Sequence, residues 1–369
     1  MVPPAAALKF WLVPRSCLGT ILVCEGGPKL LNRRKFIALA PVTLGVTQVA
    51  LAGKLQAQVV NQLAAEPPAV RVALAAGDFI GTLTPEQRER VLYGTDDPAV
   101  REWIYFPSRS DRNGIAFGDL SEEQRAAAFR VVAAVLSERG YQQFRGILAA
   151  EDELGIRNGT SHVNSGRYFI AFFGTPSAMN RFTVQINGHH LAIHTTYERG
   201  RVSPAPMFTG TDPVQVELDG TTVEPMQAKT AAFTGLLGGL TQDQQARAQI
   251  GAIDDVRVGT GSSNQYPEQA GMLVTDLSLD QQERVADVVK AWVGDTTDEV
   301  AERLLQEYRA QFDSTRFCWA GTTDPYTRGA YLRLDGPRLW IEFSNVGRFG
   351  NGDNHFHSIY RDKIADYLG

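Results

Sequence analysis

The chain has 369 residues, of which 43% are hydrophobic, and carries a formal net charge of −5 at pH 7. A chain of this length can bury a large core and form either one large domain or two smaller ones. Its basic residues are dispersed, apart from one group near the start. The composition therefore argues against a nucleic-acid-binding surface, which needs clustered Lys and Arg.

The one basic group opens a stretch with the features of an export signal. Arg33, Arg34 and Lys35 precede an apolar run, 36–52, that ends in small residues. That order is typical of a secretory signal, and the paired arginines followed by Lys-Phe resemble a bacterial twin-arginine signal. We predict a leader and export signal over 1–57, a periplasmic or extracellular protein, and no stable membrane anchor after signal removal. A single membrane anchor or a buried N-terminal helix is the alternative interpretation of the same run.

A phrase that starts helices recurs four times in the rest of the chain. In each copy a Thr or Ser caps the helix, and the Gln three residues later reaches back to the cap N–H, which is a capping box. The caps are Thr84, Ser121, Thr241 and Ser278. Within each pair the caps lie 37 residues apart, and the second pair repeats the first at an offset of 157. This spacing indicates an internal repeat.

Each half then turns to strands. Asn187-Gly188 predicts a β-hairpin turn within 182–194, with Ile186 facing His189 and His190 facing Gln185. One face of this hairpin carries Val184, Leu191, Phe182 and Ile193 as an apolar set, and His190 and His194 fall together on the opposite, polar face.

A second turn signal, Asp335-Gly336, predicts a matching hairpin in the second half. Aligning the two turns places His190 against Arg338 and His194 against Glu342. The two halves keep their apolar positions and differ at polar ones, as expected for one composite site at a pseudo-twofold axis. Neutral drift of a solvent-facing surface would give a similar pattern.

Together these patterns predict an α+β fold. Two tandem copies of helices followed by a β-hairpin, about 69–222 and 223–369, are expected to share an antiparallel sheet with pseudo-twofold symmetry. Because one hairpin is too small to bury itself, we expect 58–369 to form a single globular unit.

Five side chains are the predicted metal ligands. His355 and His357 alternate on a strand, so their imidazoles share one face and are able to bind one ion. On a regular strand His190 and His194 would lie about 13 Å apart, so only a bulge or helical turn would let both bind the same ion. Imidazole and carboxylate groups suit zinc, iron or manganese. The complete predicted set is His190, His194, Glu342, His355 and His357.

These residues predict an exported metal-dependent enzyme, hydrolytic or oxidative, whose substrate the sequence does not identify. Arg338 and Arg361 are predicted to bind an anionic, small-molecule substrate. A second interpretation is that the histidines hydrogen-bond the backbone at the mouth of a cleft, as expected for His189. The glycine-rich runs lack the spacing of nucleotide-binding loops, and no Gly-x-Ser-x-Gly elbow is present.

A different class of function also fits the sequence. A non-catalytic periplasmic protein would bind a small ligand in a cleft between two similar halves, lined by aromatic residues on strands. The aromatic residues considered for this cleft are Phe173, Trp319, Tyr331 and Trp340. Convergence of the five predicted ligands favours the enzyme, whereas their dispersal along a groove favours the binding protein.

Four motifs resemble a known family. They are the Gly-His-His-Leu run at 188–191, the loop 206–213, the closing segment 355–362, and Arg112-Asn-Gly-Ile115. In this combination the chain resembles the family catalogued as domain of unknown function 3500, over about 69–369. The resemblance implies membership of that family and carries no activity with it.

Overall fold

The computed structural model describes residues 66–107, 112–260, 265–346 and 354–369. The described part is an α+β structure with eight α-helices and fourteen strands, which confirms the predicted class. The predicted export signal lies outside the described residues. Within the described ranges, no helix is long and apolar enough to cross a membrane.

The helices occur in two groups of four, one before the first hairpin and one before the second. They are α1 (Pro68–Thr82), α2 (Pro85–Val91), α3 (Glu122–Val135), α4 (Glu138–Asn158), α5 (Gln227–Gly238), α6 (Gln242–Ala248), α7 (Leu279–Val293) and α8 (Asp298–Arg309). The four predicted capping boxes are confirmed at the starts of α2, α3, α6 and α7. In each, the cap hydroxyl accepts the N–H of the Gln, and the Gln side chain accepts the cap N–H.

The strands are β1 (Leu92–Tyr93), β2 (Ile115–Ala116), β3 (Phe169–Phe173), β4 (Phe182–Gly188), β5 (Leu191–Glu198), β6 (Arg201–Ser203), β7 (Met207–Thr211), β8 (Val216–Leu218), β9 (Thr221–Val223), β10 (Met272–Leu273), β11 (Arg316–Ala320), β12 (Tyr331–Asp335), β13 (Leu339–Asn345) and β14 (Phe356–Asp362). Most of these strands follow a helical group, whereas three short ones, β1, β2 and β10, lie between helices of a group.

One large sheet joins the two groups of strands. Its order is β1-β3-β4-β5-β7-β14-β13-β12-β11-β10, with β2 on β3 and β6 on β5. Its pairs are antiparallel except β1 with β3, so the sheet is mixed rather than purely antiparallel. At the centre β7 pairs with β14, where Thr209 lies opposite Ser358. The two groups of strands therefore meet in the middle of the sheet.

The two faces of the sheet are covered differently. Side chains such as Val184 and Ile341 point to one face and pack with the helices in the main hydrophobic core. The opposite face, here called the second face, carries Phe208 and Trp340 in a smaller core. Trp103 and Val258, from two irregular segments, pack over it. The second face is therefore the one that loops, rather than helices, enclose.

The register of the first hairpin differs from the prediction. Gly188 pairs with Leu191 and Gln185 with His194, so the two turn residues are His189 and His190. The predicted pairing of Ile186 with His189 is wrong: Ile186 pairs with Ile193, because the turn lies two residues later than predicted. His190 has a φ of 62°, a left-handed conformation, so the turn places its one strained residue at a histidine.

Several hydrogen bonds in the first helical group have a counterpart in the second. Gln124 Nε2 donates to the Thr82 carbonyl at 2.9 Å, and Gln281 Nε2 donates to the Gly239 carbonyl at the same distance. Gln87 and Gln124 exchange hydrogen bonds between their side-chain amides, as do Gln244 and Gln281. The ion pairs Arg90–Asp119 and Arg247–Asp276 also correspond, at 2.8 and 3.1 Å. These interactions hold each pair of capped helices together at its N-terminal ends.

Candidate metal centre

Three histidines converge where β5, β7 and β14 lie side by side. His190 is in the β4–β5 turn, His355 directly precedes β14, and His357 lies on β14. The intervening β7 contributes Gly210, whose N–H donates to the His190 carbonyl at 2.7 Å. A Cβ at this glycine would lie only 3.0 Å from His190 Cδ2 and 3.1 Å from His357 Cδ2. Glycine at this position therefore leaves room for the imidazoles to approach each other.

We call His190, His355 and His357 the histidine cluster. One ring nitrogen from each lies within 4.8 Å of the others, and the Nε2 atoms of His190 and His355 are 2.7 Å apart. For comparison, the nitrogen ligands of one tetrahedral zinc ion lie roughly 3.3 Å apart. Small side-chain movements would bring the cluster to that spacing. All three side chains are buried, and His355 Nδ1 has no hydrogen-bond partner among the described residues.

Burial keeps the imidazoles in the form that binds metals. It lowers the pKa of His190 to about 3, an effect that the nearby His189 reinforces and Glu151 only partly opposes. Burial also lowers the pKa of His355, with His190 and His357 adding to the effect. Because both side chains are neutral at pH 7, each keeps one nitrogen lone pair for coordination.

A buried carboxylate from helix α4 lies behind the cluster. His189 Nδ1 donates to Glu151 Oε1 at 2.8 Å, and His190 Nδ1 lies 3.5 Å from Oε2. Burial raises the pKa of Glu151, but the adjacent His189 and His190 outweigh burial and hold that pKa below its ordinary value. Glu151, His189 and His190 form a second group whose ligand atoms lie within 4.8 Å of one another. His189 thus contacts a carboxylate rather than simply bordering a turn.

A second carboxylate contacts the cluster from the irregular segment that follows α6. Asp255 Oδ1 accepts a hydrogen bond of 2.7 Å from His357 Nδ1. A carboxylate on one nitrogen of a histidine fixes the tautomer and directs the other nitrogen outward, as is usual for metal-binding histidines. His357 and His190 therefore both have a carboxylate at Nδ1, and both direct Nε2 away from it.

The structure does not bring His194 and Glu342 into the cluster. His194 is four residues along a regular strand from His190, and its Nδ1 donates to the Pro206 carbonyl at 3.1 Å. Glu342 lies on β13 and accepts four hydrogen bonds, one of them from Tyr331 at 2.7 Å. No bulge shortens the distance from the turn to His194, and the oxygens of Glu342 are fully occupied. Three of the five predicted ligands thus lie together and two lie elsewhere on the second face.

The two predicted substrate arginines are engaged in ion pairs. Arg338 contacts Glu307 at 2.7 Å and Asp362 at 2.5 Å. Arg361 is buried and donates from Nε to Asp366 at 2.7 Å. Their charges stabilise the β12–β13 turn and the C-terminal residues.

Sequence reasoning did not identify Glu151 or Asp255. Glu151 carried a usable signal, because it occupies an apolar stripe of α4 with Phe144, Ile147 and Leu148. A carboxylate on the buried face of a helix needs a partner, so it marks a polar site. Asp255 lies in an irregular segment and carried no comparable signal.

The fold and the site define an α+β protein with a buried histidine cluster that is suited to holding a metal ion. The model of the family DUF3500, described as a protein of unknown function, matches residues 65–369. The chain therefore belongs to this family, and the resemblance found in the sequence is confirmed. No curated protein and no solved structure is significantly similar to the chain.

Proposed function

We propose that this protein is an exported, metal-dependent enzyme, hydrolytic or oxidative, that acts on a small molecule. The observation that carries the proposal is the convergence of His190, His355 and His357 within 4.8 Å. Buried histidine side chains usually hydrogen-bond to the backbone or to water, and three of them rarely converge at one place. Here their ring nitrogens converge, and an imidazole nitrogen is able to bind a metal ion.

The charges around the cluster also favour a bound cation. Glu151 is buried and ionised, and the groups in contact with its carboxylate include the imidazoles of His189 and the neutral His190. Asp255 brings a second carboxylate to the same centre. Burying carboxylates without compensating positive charge is costly, since the charged form loses its hydration. A divalent cation held by the cluster would balance both.

Three imidazole ligands leave part of the coordination sphere open. Zinc with three protein ligands binds a water molecule in the fourth position and acidifies it, which suits hydrolysis. Iron or manganese prefers more ligands and so leaves more positions open, which suits oxidation. The buried surroundings of the cluster, including Phe208 against His357, would keep bulk water from such a site.

The alternative, a non-catalytic binding protein, receives no comparable support. That function requires aromatic side chains on strands to line an open cleft. Instead Phe173, Tyr331 and Trp340 are at most 1% exposed, and Trp319 is 7% exposed. These rings fill packed cores, so the histidine cluster remains the better basis for a function.

Elemental analysis of untagged mature protein tests the metal directly. We expect close to one equivalent of zinc, iron or manganese per chain in the parent protein. The double variant His355→Ala/His357→Ala should lose it, because two of the three converging ligands are gone.

His162→Ala is the matched control, since His162 is exposed and lies outside the cluster. It should keep the full metal content. A folded parent that holds no metal even after reconstitution with each ion would rule out the proposal.

We also propose that the chain is a tandem repeat with pseudo-twofold symmetry. Its support is the matched set of helix caps and hydrogen bonds, together with a sheet order that runs β3-β4-β5-β7 and then β14-β13-β12-β11. Gly114 and Gly271 add to this support. Both have positive φ, and at both an added Cβ would collide with a carbonyl of the neighbouring strand, that of Ile170 and that of Phe317 respectively. Under this proposal the metal centre draws on both copies, with His190 from the first and His355 and His357 from the second, and Arg338 occupies the position equivalent to His190.

Export is a proposal that rests on the sequence before residue 58. The double variant Arg33→Lys/Arg34→Lys should block export through the twin-arginine route, because that route depends on the arginine pair. Fractionation of cells that express the tagged full chain would show this as a shift from periplasm to cytoplasm. Equal export of both forms would contradict a twin-arginine signal.

A further inference from the structure

We propose that Glu342, although it does not touch the histidine cluster, is a positioning residue for it. It anchors the irregular segment 255–258, and this anchoring aims Asp255 at His357. The inference rests on the proposed metal site and adds two residues that govern its affinity.

Glu342 accepts four hydrogen bonds from two parts of the chain. Its Oε1 accepts hydrogen bonds from the Tyr331 hydroxyl at 2.7 Å and the Arg257 N–H at 2.8 Å. Its Oε2 accepts from Trp340 Nε1 at 2.8 Å and the Val258 N–H at 3.0 Å. One donor to each oxygen comes from the sheet and the other from the segment, so the carboxylate joins the two.

The segment itself is irregular. Residues 249–260 contain no regular strand, so the backbone N–H groups of the segment have no sheet ladder to satisfy them. Glu342 satisfies two consecutive ones, at Arg257 and Val258, and Val258 packs in the core of the second face. These contacts fix the backbone two and three residues after Asp255.

Asp255 connects the segment to the metal site. Asp255 Oδ1 accepts from His357 Nδ1 at 2.7 Å, so its position decides which way the imidazole is held. The ring of His357 also packs edge-on against Phe208, at 5.1 Å between centroids. Glu342 thus acts on the cluster through Asp255. This route predicts how the effects of substituting the two residues combine in a double variant.

A double-variant cycle tests the route. Zinc affinity would be measured by competition with a chromophoric chelator for the parent, Asp255→Asn, Glu342→Gln and the double variant. Asp255→Asn should weaken zinc binding about 10- to 100-fold, the usual cost of losing such a carboxylate. Glu342→Gln should also weaken it, by no more than Asp255→Asn does. The double variant should bind zinc no more weakly than Asp255→Asn alone, because both substitutions interrupt the same series of contacts.

Asp254→Asn is the matched control, since Asp254 is the exposed neighbour of Asp255 and should leave zinc affinity unchanged. If Glu342→Gln does not fold, as judged by circular dichroism, Tyr331→Phe replaces it, since this change removes one of the four hydrogen bonds to Glu342.

Losses that multiply in the double variant would overturn the inference, as would a normal affinity in Asp255→Asn. A parent that binds no zinc, iron or manganese would instead overturn the proposed function itself.

Discussion

Gly188 determines where the histidine turn lies. A Cβ on this residue would meet the ring of Tyr168 at 2.3 Å, so only glycine lets that ring lie across the strand end. The hydroxyl of Tyr168 then donates to the carbonyl of His189, which is the first residue of the turn. Gly188 therefore allows the close packing of Tyr168, and Tyr168 supports the turn that carries His190 through its hydrogen bond to His189.

Replacing Gly188 with Ala should destabilise the protein by about 1–3 kcal/mol, since the added methyl forces the Tyr168 ring to move. It should also weaken metal binding, because the turn that holds His190 loses its support. Thermal unfolding and zinc titration of the purified variant would measure both effects.

Gly77→Ala is the control for this change. Gly77 lies within α1, and an added Cβ there meets nothing within 4 Å. Alanine is the better helix former, so stability should stay the same or rise by up to about 1 kcal/mol. Equal stability of Gly188→Ala and the parent would show that the Tyr168 contact does not hold the turn.

At the scale of elements, a buried ion pair ties helices from the two halves together. Asp295, between α7 and α8, accepts hydrogen bonds from Lys229 of α5 at 2.6 Å and from Gln143 of α4 at 2.9 Å. Lys229 and Asp295 are 1% and 2% exposed. Burial lowers the pKa of Lys229, and the contact with Asp295 opposes that effect.

Lys229→Ala should cost about 3–5 kcal/mol, because it leaves Asp295 buried without its main counter-charge. Lys290→Ala is the control, since Lys290 is exposed on α7, and it should change stability by less than about 0.5 kcal/mol. Urea unfolding of both variants and the parent would compare them. Similar midpoints for all three would mean that this cluster does not stabilise the helical layer.

The sequence predicted the elements better than it predicted their register. Capping boxes are local, so Thr84 and Gln87 suffice to place a helix start. The Asn187-Gly188 turn signal is also local, but the contact between Gly188 and Tyr168 outweighed it and moved the turn to His189 and His190.

The same distinction applies to the site. His355 and His357 are two residues apart and were predicted together. Glu151 lies 38 positions from His189, and Asp255 lies 102 positions from His357. Contacts at that separation depend on how the sheet and its loops assemble, and the spacing of residue types along the chain does not encode them.

At the scale of the whole molecule, the two copies of the proposed repeat differ at their hairpin turns. The turn of the second hairpin carries Arg338 where the first carries His190, and Arg338 is paired with Glu307 and Asp362. Tyr308 donates to Asp362 as well, at 2.9 Å. One copy thus holds an ion-pair network at the position where the other holds histidines. We infer that this turn position serves stability in the second copy and metal binding in the first, where His190 meets His355 and His357 of the second copy.

The central claim is that one metal ion binds at the histidine cluster. The most direct measurement is anomalous diffraction from crystals of the protein loaded with zinc, with data collected on both sides of the zinc absorption edge. We expect an anomalous peak about 2.0–2.1 Å from one nitrogen of each of His190, His355 and His357. A loaded crystal without a peak at the cluster, or with its peak at His194 or Glu342, would contradict it.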